Sequence, residues 1–178
     1  MNAFPVTAFE RLGRGPDFLQ ISPAPVENLP VQIRKMLDHD QHMTRILQTR
    51  HGQNLALEVL GLDRSEDGDL REVLLKREQD SIPLQYALLD ARLDLLPAET
   101  AAALVAARQP LGQILMATAM LRRIEVVSFV RAVPSREFQK AAGTDNPQLY
   151  GRHITIDIEA QPAVTVLELL LEPGRNYG

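Results

Sequence analysis

The sequence predicts an α+β fold: a single antiparallel sheet of about six strands, six or seven by count, with helices packed on it. Three observations carry this. Short β-branched and apolar runs follow one another with tight charged turns between them, which is the pattern of neighbouring hairpins. The period switches to a helical one in the middle of the chain, over PAETAAALVAAR, where Pro97 starts the segment, Glu99 lies in its first turn and alanine dominates. Finally, 178 residues with 45% apolar content suit one core rather than two.

The elements follow in order. Residues 1–27 carry Pro5, Pro16, Pro23 and Pro25 without a sustained period, and predict a partly extended arm over the domain. Residues 28–173 form the domain, and 174–178 a loose tail. Pro30 begins a short helix through Val31, Ile33, Met36 and Leu37. MTRILQTR and LALEVLGLD, with HGQN between them and Gly52 at the turn, predict a β-hairpin. LREVLLKRE and SIPLQYALLDARLDLL are the next strands. The Pro97 helix and a second one begun at Pro110 make a helix-turn-helix flap with Leu111, Ile114 and Leu115 inward. LRRIEVVSFVRAV returns to strand, PSREFQKAAGTDNPQ is a loop or a helix plus loop, and RHITIDIEAQPAVTVLELLLEP supplies two more strands.

Composition excludes several functions. The net charge of -4, from 19 basic and 23 acidic residues, lacks the positive excess that nucleic acid requires. With no cysteine there is no thiolate nucleophile, disulfide or Cys-ligated metal. No stretch has the length of a membrane span, and Glu10 and Arg11 interrupt any secretory h-region, so a cytoplasmic location is expected. Phosphate-cradling loops and a GxSxG elbow are missing. His39 and His42, at i,i+3, lack further ligands and read as a solvated helix end rather than a metal site; His51 reads as a turn residue.

The anomaly is Glu168, a lone carboxylate inside PAVTVLELLLEP. Strand alternation puts it on one face with Val164, Val166 and Leu170, and Thr165, Leu167, Leu169 and Leu171 on the other. A buried unpaired carboxylate is costly, so it needs a partner. Arg71, sharing a face with Val73 and Leu75, is the expected one. Together with Arg152 these residues suggest either a structural ion pair or the floor of a pocket for a small carboxylic acid, since guanidinium grips carboxylate in bidentate fashion.

MTRIL (43–47), REVLL (71–75), QPLGQIL (109–115), YGRH (150–153) and QPAVTVLELLLEP (161–173) occur in the order seen in chorismate pyruvate-lyases, and the chain resembles that family from about Pro30 to Pro173. The resemblance implies one antiparallel sheet with helical flaps over a buried site and no metal or organic cofactor. It implies a cytoplasmic lyase that cleaves chorismate to 4-hydroxybenzoate and pyruvate for quinone or secondary metabolism. By correspondence, Arg71 holds the ring carboxylate, Glu168 meets the ring hydroxyl, Met43 and Leu111 touch the ligand largely through backbone amides, and Arg152 is open to the pyruvyl carboxylate. Four features depart from the short bacterial members: GRH at 151–153 where GRR is familiar, Leu167 where Thr is usual, a longer 126–149 segment, nearer the longer branch, and an extended N-terminal arm. The departures at Leu167 and His153 are expected to alter the pocket wall. The resemblance leaves two other readings: a non-catalytic domain that binds a small anion, as in ligand-sensing domains of some transcription regulators, or a specialised relative acting on another cyclic acid.

Overall fold

The computed structural model describes residues 4–65 and 68–172; the tail expected at 174–178 lies outside them. A short helix α1 (Val6–Arg11) is followed by strand β1 (Leu19–Pro23), helices α2 (Val31–Leu37) and α3 (Met43–His51), and the meander β2 (Leu55–Arg64), β3 (Gly68–Arg77), β4 (Pro83–Arg92). Helices α4 (Ala98–Ala106) and α5 (Leu111–Met116) then lead to β5 (Arg122–Pro134), α6 (Arg136–Ala142), β6 (Leu149–Ile158) and β7 (Gln161–Leu170). Among the described residues seven strands form one sheet in the order β1-β5-β6-β7-β4-β3-β2, with every neighbouring pair antiparallel. Two meanders, β2-β3-β4 and β5-β6-β7, are joined where β7 pairs with β4.

That join puts β7 at the centre between β6 and β4, with β3 beside β4, and helices cover both faces of this region. Leu70 to Leu75 and Leu84 to Leu89 are consequently buried without a break. Continuous apolar strands rather than alternating ones are what double burial demands. On one face, Phe9 and Phe18 of the N-terminal segment and Phe138 of α6 pack against Leu70, Leu74, Tyr86, Leu88, Leu167 and Leu169. On the other, Leu104, Ile114 and Leu115 of the α4 and α5 pair cover Val73, Ala87, Leu89, Ile154, Ile156, Val164 and Val166. Helices α2 and α3 close the end of that second face over Leu75 and Leu170.

Two expectations change. Met43–His51 is a helix, not a hairpin strand. Met43 and Leu47 bury at i,i+4, and Gly52, at φ 62°, ends the helix in the left-handed conformation instead of turning a hairpin. The partner of β2 is β3, in the register Leu55 to Arg77. The seventh strand comes from the segment expected as an arm: β1 pairs with β5 at the sheet edge, so this segment is built into the same sheet as the domain. PSREFQKAAG resolves into α6, capped by Ser135, whose hydroxyl accepts from the Phe138 amide. Among the described residues no helix is long and apolar enough to cross a membrane.

The N-terminal segment is fastened by charge as well as by its rings. Glu72 lies fully buried on the face opposite its neighbour Arg71. It accepts from Arg14 Nη2 at 2.7 Å and Nε at 3.0 Å, and from the Tyr86 hydroxyl at 2.9 Å. Burial, then the Glu72 charge, pushes the Tyr86 hydroxyl pKa well above its ordinary value, so it stays a donor. Removing one member of a buried pair strands the other charge, so Arg14→Ala is expected to lower the unfolding free energy by about 3 kcal/mol in urea denaturation. A loss under about 1 kcal/mol would mean that water reaches Glu72 and that the segment is held by its aromatic rings alone.

Candidate functional site

A cavity lies between the sheet and its helical cover. Its floor is Arg71, Val73 and Leu75 from β3, Gln85, Ala87 and Leu89 from β4, and Val166 and Glu168 from β7, all on one face by strand alternation. Ile154 and Ile156 of β6 and Leu57 of β2 form side walls, and the roof is His42, Met43 and Thr44 with Leu104 and Gln109 to Gly112. The space between floor and roof, with the solvent at its open mouth included, is about 560 Å³.

The register explains why space exists there. Ala87 pairs with Val73 on one side and Glu168 on the other, so the smallest side chain of the floor sits between the two charged positions. Arg71 is level with Leu89 and, through it, Val166. Two strand spacings and two residues along separate the Cα atoms of Arg71 and Glu168 by roughly 12 Å, enough for one ring between their side chains.

Arg71 and Glu168 do not pair with each other, contrary to the sequence expectation. Arg71 Nε donates to Asp69 Oδ1 at 2.5 Å, from two residues earlier on the same strand face. Asp69 Oδ2 also accepts from Arg64 Nε at 3.0 Å. Glu168 Oε2 accepts from Arg152 Nε at 2.6 Å, the cross-strand neighbour on β6. The nearest opposite charge in register wins over the one two strands away. What remains unpaired is informative: Arg71 is 1% exposed, and its Nη2 lies buried without a hydrogen-bond partner. Gln85 Oε1 and His42 Nε2 are in the same condition along the same cavity. Buried polar atoms are rarely left unmatched, and each loses roughly 1–3 kcal/mol that a ligand group could return.

Arg152 has another task than the one expected of it. It is wholly buried beside Glu168, outside the cavity lining, and its other nitrogens donate to the carbonyls of Leu37 (3.1 Å), His39 (2.6 Å) and Gln41 (2.9 Å). The guanidinium thus fixes the loop that leads into α3, and is not open to a second carboxylate. Met43 and Leu111 are the first residues of α3 and α5, and both line the cavity. Their amides, in the first helical turn, have no intrahelical acceptor. The two helix starts meet at Gly112, where a Cβ would come within 2.7 Å of Thr44 Oγ1, so glycine permits the roof to close.

The structure therefore brings Met43, Arg71, Leu111 and Glu168 to one cavity and places Arg152 behind Glu168. His153 and Leu167, a cross-strand pair, point to the opposite face, where the His153 ring stacks on Phe4 at 5.2 Å. They are not cavity walls, which corrects the expectation that these two positions reshape the pocket. Sequence reasoning missed Gln85, Thr44 and Asp69. Gln85 was readable: it shares strand parity with Ala87 and Leu89 and is polar in an apolar run. His39, through Nε2, lies 2.9 Å from the Met36 carbonyl and faces the Arg152 guanidinium; the described residues hold no group of three or more potential metal ligands.

No family model matches the chain, and no curated protein does. Among solved structures, the C-terminal domain of Yurk from Bacillus subtilis subsp. subtilis str. 168 is similar over 67% of this chain and 88% of that one, with 20% identity and a TM-score of 0.35. Likeness at that level says nothing of chemistry, which rests on the residues themselves.

His42 makes the roof sensitive to acid. Burial first, then the Arg122 charge, pushes its imidazole down to about 4, against the pull of Glu168. The unfolded chain takes up this proton near 6.5 while the folded chain does not until about 4, so stability falls as pH drops through that window. Burial lowers His39 and His153 also, with the same sign. In His42→Gln the decline in melting temperature between pH 6.5 and 4 should be shallower than in wild type. An unchanged slope would mean that His42 is hydrated and free to protonate.

Proposed function

We propose that the chain is a lyase of the chorismate pyruvate-lyase type, releasing 4-hydroxybenzoate and pyruvate. The observation that carries this reading is the placement of a buried, half-satisfied guanidinium at Arg71 and of the Glu168 carboxylate in one cavity whose floor between them is Val73, Ala87, Leu89 and Val166. A planar acid with a hydroxyl opposite its carboxylate matches both ends. Arg71, aimed by Asp69, takes the ring carboxylate through its free N–H. Glu168, with Oε2 held by Arg152, offers its other oxygen to the ring hydroxyl. The amides of Met43 and Leu111 complete the roof contacts.

In the reaction, the ether bond between ring and enolpyruvyl group breaks as the hydroxyl-bearing carbon loses its proton. The ring becomes aromatic, and the enol gains a proton at its methylene to become pyruvate. No oxidant is consumed, and aromatisation supplies the driving force, so the protein's share is orientation and transfer of one proton. Glu168 stands at the hydroxyl, beside the carbon that loses it. Because His153 and Leu167 face away from the cavity, the two departures from the lyase pattern leave its walls intact, which supports chorismate over a differently shaped acid.

One observation favours a second reading, binding without turnover: Glu168 Oε2 is already committed to Arg152 Nε at 2.6 Å, which leaves a single carboxylate oxygen for a ligand. Incubation with chorismate, followed by absorbance of 4-hydroxybenzoate, separates the two. Product is expected. Arg71→Ala should weaken 4-hydroxybenzoate binding on the order of 100-fold. Glu168→Gln should keep binding within about tenfold and lose roughly 100-fold or more in kcat. Binding without product in wild type would select the second reading; neither binding nor product would sink both.

A further inference from the structure

A polar cleft lies on the outer side of the roof, lined by Asp40, Gln41, His42, Arg45, Met116, Arg122 and Ile124. It shares one wall with the inner cavity: His42 lines both. Two cations border it. Arg45 is exposed on α3, and Arg122, half-buried at the start of β5, donates through Nη1 to the Thr118 carbonyl at 3.3 Å. Neither lies within ion-pair distance of a carboxylate in the salt bridges formed among the described residues, although Asp40 borders the same cleft.

The inner cavity poses a charge problem for a substrate bearing two carboxylates. Arg71 can receive one. Arg152 cannot receive the other, because Nε is committed to Glu168 and its terminal nitrogens to three loop carbonyls. Among the described residues the cavity lining holds no Arg or Lys besides Arg71, so a second carboxylate on a short ether arm has to reach beyond it to meet another. Past the His42 wall lie Arg122 and Arg45.

We propose that this cleft is the subsite for the second carboxylate of a dicarboxylic cyclic substrate, with Arg122 as its principal cation, Arg45 as a rim contribution and His42 as the partition the arm passes. The assignment rests on the inner cavity being the ring site. It gives the protein a means of telling a diacid substrate from its monoacid product: both use Arg71 and Glu168, and only the substrate reaches Arg122. Product release is then eased by loss of the outer contact.

Calorimetric titration with two stable ligands tests this: 4-hydroxybenzoate, and 4-hydroxybenzoate carrying a carboxymethoxy group beside the hydroxyl. Arg122→Gln should weaken the diacid about tenfold or more and the monoacid less than about twofold. Arg122→Lys should restore most of the diacid affinity, and Arg45→Gln should act mainly by flattening its salt dependence. Equal weakening of both ligands, or of neither, overturns the cleft assignment while leaving the ring site standing. Failure of wild type to bind either acid overturns the ring site, and the cleft assignment with it.

Discussion

The interaction on which the site depends is the buried pair of Arg152 and Glu168. A charge removed from water costs several kcal/mol, and neither residue could occupy the centre of this sheet alone. Their strands place them directly opposite each other, so the pair forms as a consequence of register. The guanidinium has five N–H groups and the carboxylate uses one, which leaves donors that must also be satisfied. They find the carbonyls of Leu37, His39 and Gln41. A requirement of electrostatics thus becomes a structural joint: the loop between α2 and α3 is tied to the sheet, and with it the start of α3, Met43 and the roof of the cavity.

The same logic divides labour between adjacent residues of β3. Arg71 and Glu72 point to opposite faces. Glu72 is fully matched by Arg14 and Tyr86, and joins the N-terminal segment to the sheet. Arg71 is matched only through Nε and keeps a buried donor in reserve. Glu72 is thus committed to holding the N-terminal segment, while the unmatched N–H of Arg71 is available to a ligand in the cavity it lines.

Period-2 alternation made much of this readable from the residues. It assigned the faces of Glu168 and Arg71 and hence the layer in which a pocket would lie. It failed where a property is not local. MTRILQTR, with apolar residues at 43, 46 and 47, fits a helix as well as a strand, and only packing against the sheet end decides in favour of α3. LQISP in the N-terminal segment carries no strong strand signal and becomes β1 because β5 offers it an edge. The partners of Arg71 and Glu168 depended on strand order, in which β4 separates β3 from β7. Parity identifies a face but is silent about which strands adjoin.

Strand order also fixes the charge of the site. The groups around the cavity are Arg64, Arg71 and Arg152 against Asp69 and Glu168, three positive charges and two negative, a surplus of one. Had Arg71 and Glu168 neutralised each other as their chemistry alone suggests, the cavity floor would be self-satisfied and would favour an uncharged occupant. Because Asp69 is shared between Arg64 and Arg71, the Arg71 guanidinium keeps a buried, unmatched N–H. The charged groups that line the cavity are then a cationic end at Arg71 and an anionic end at Glu168, each held by a partner outside the lining, so strand order keeps the two apart instead of letting them cancel.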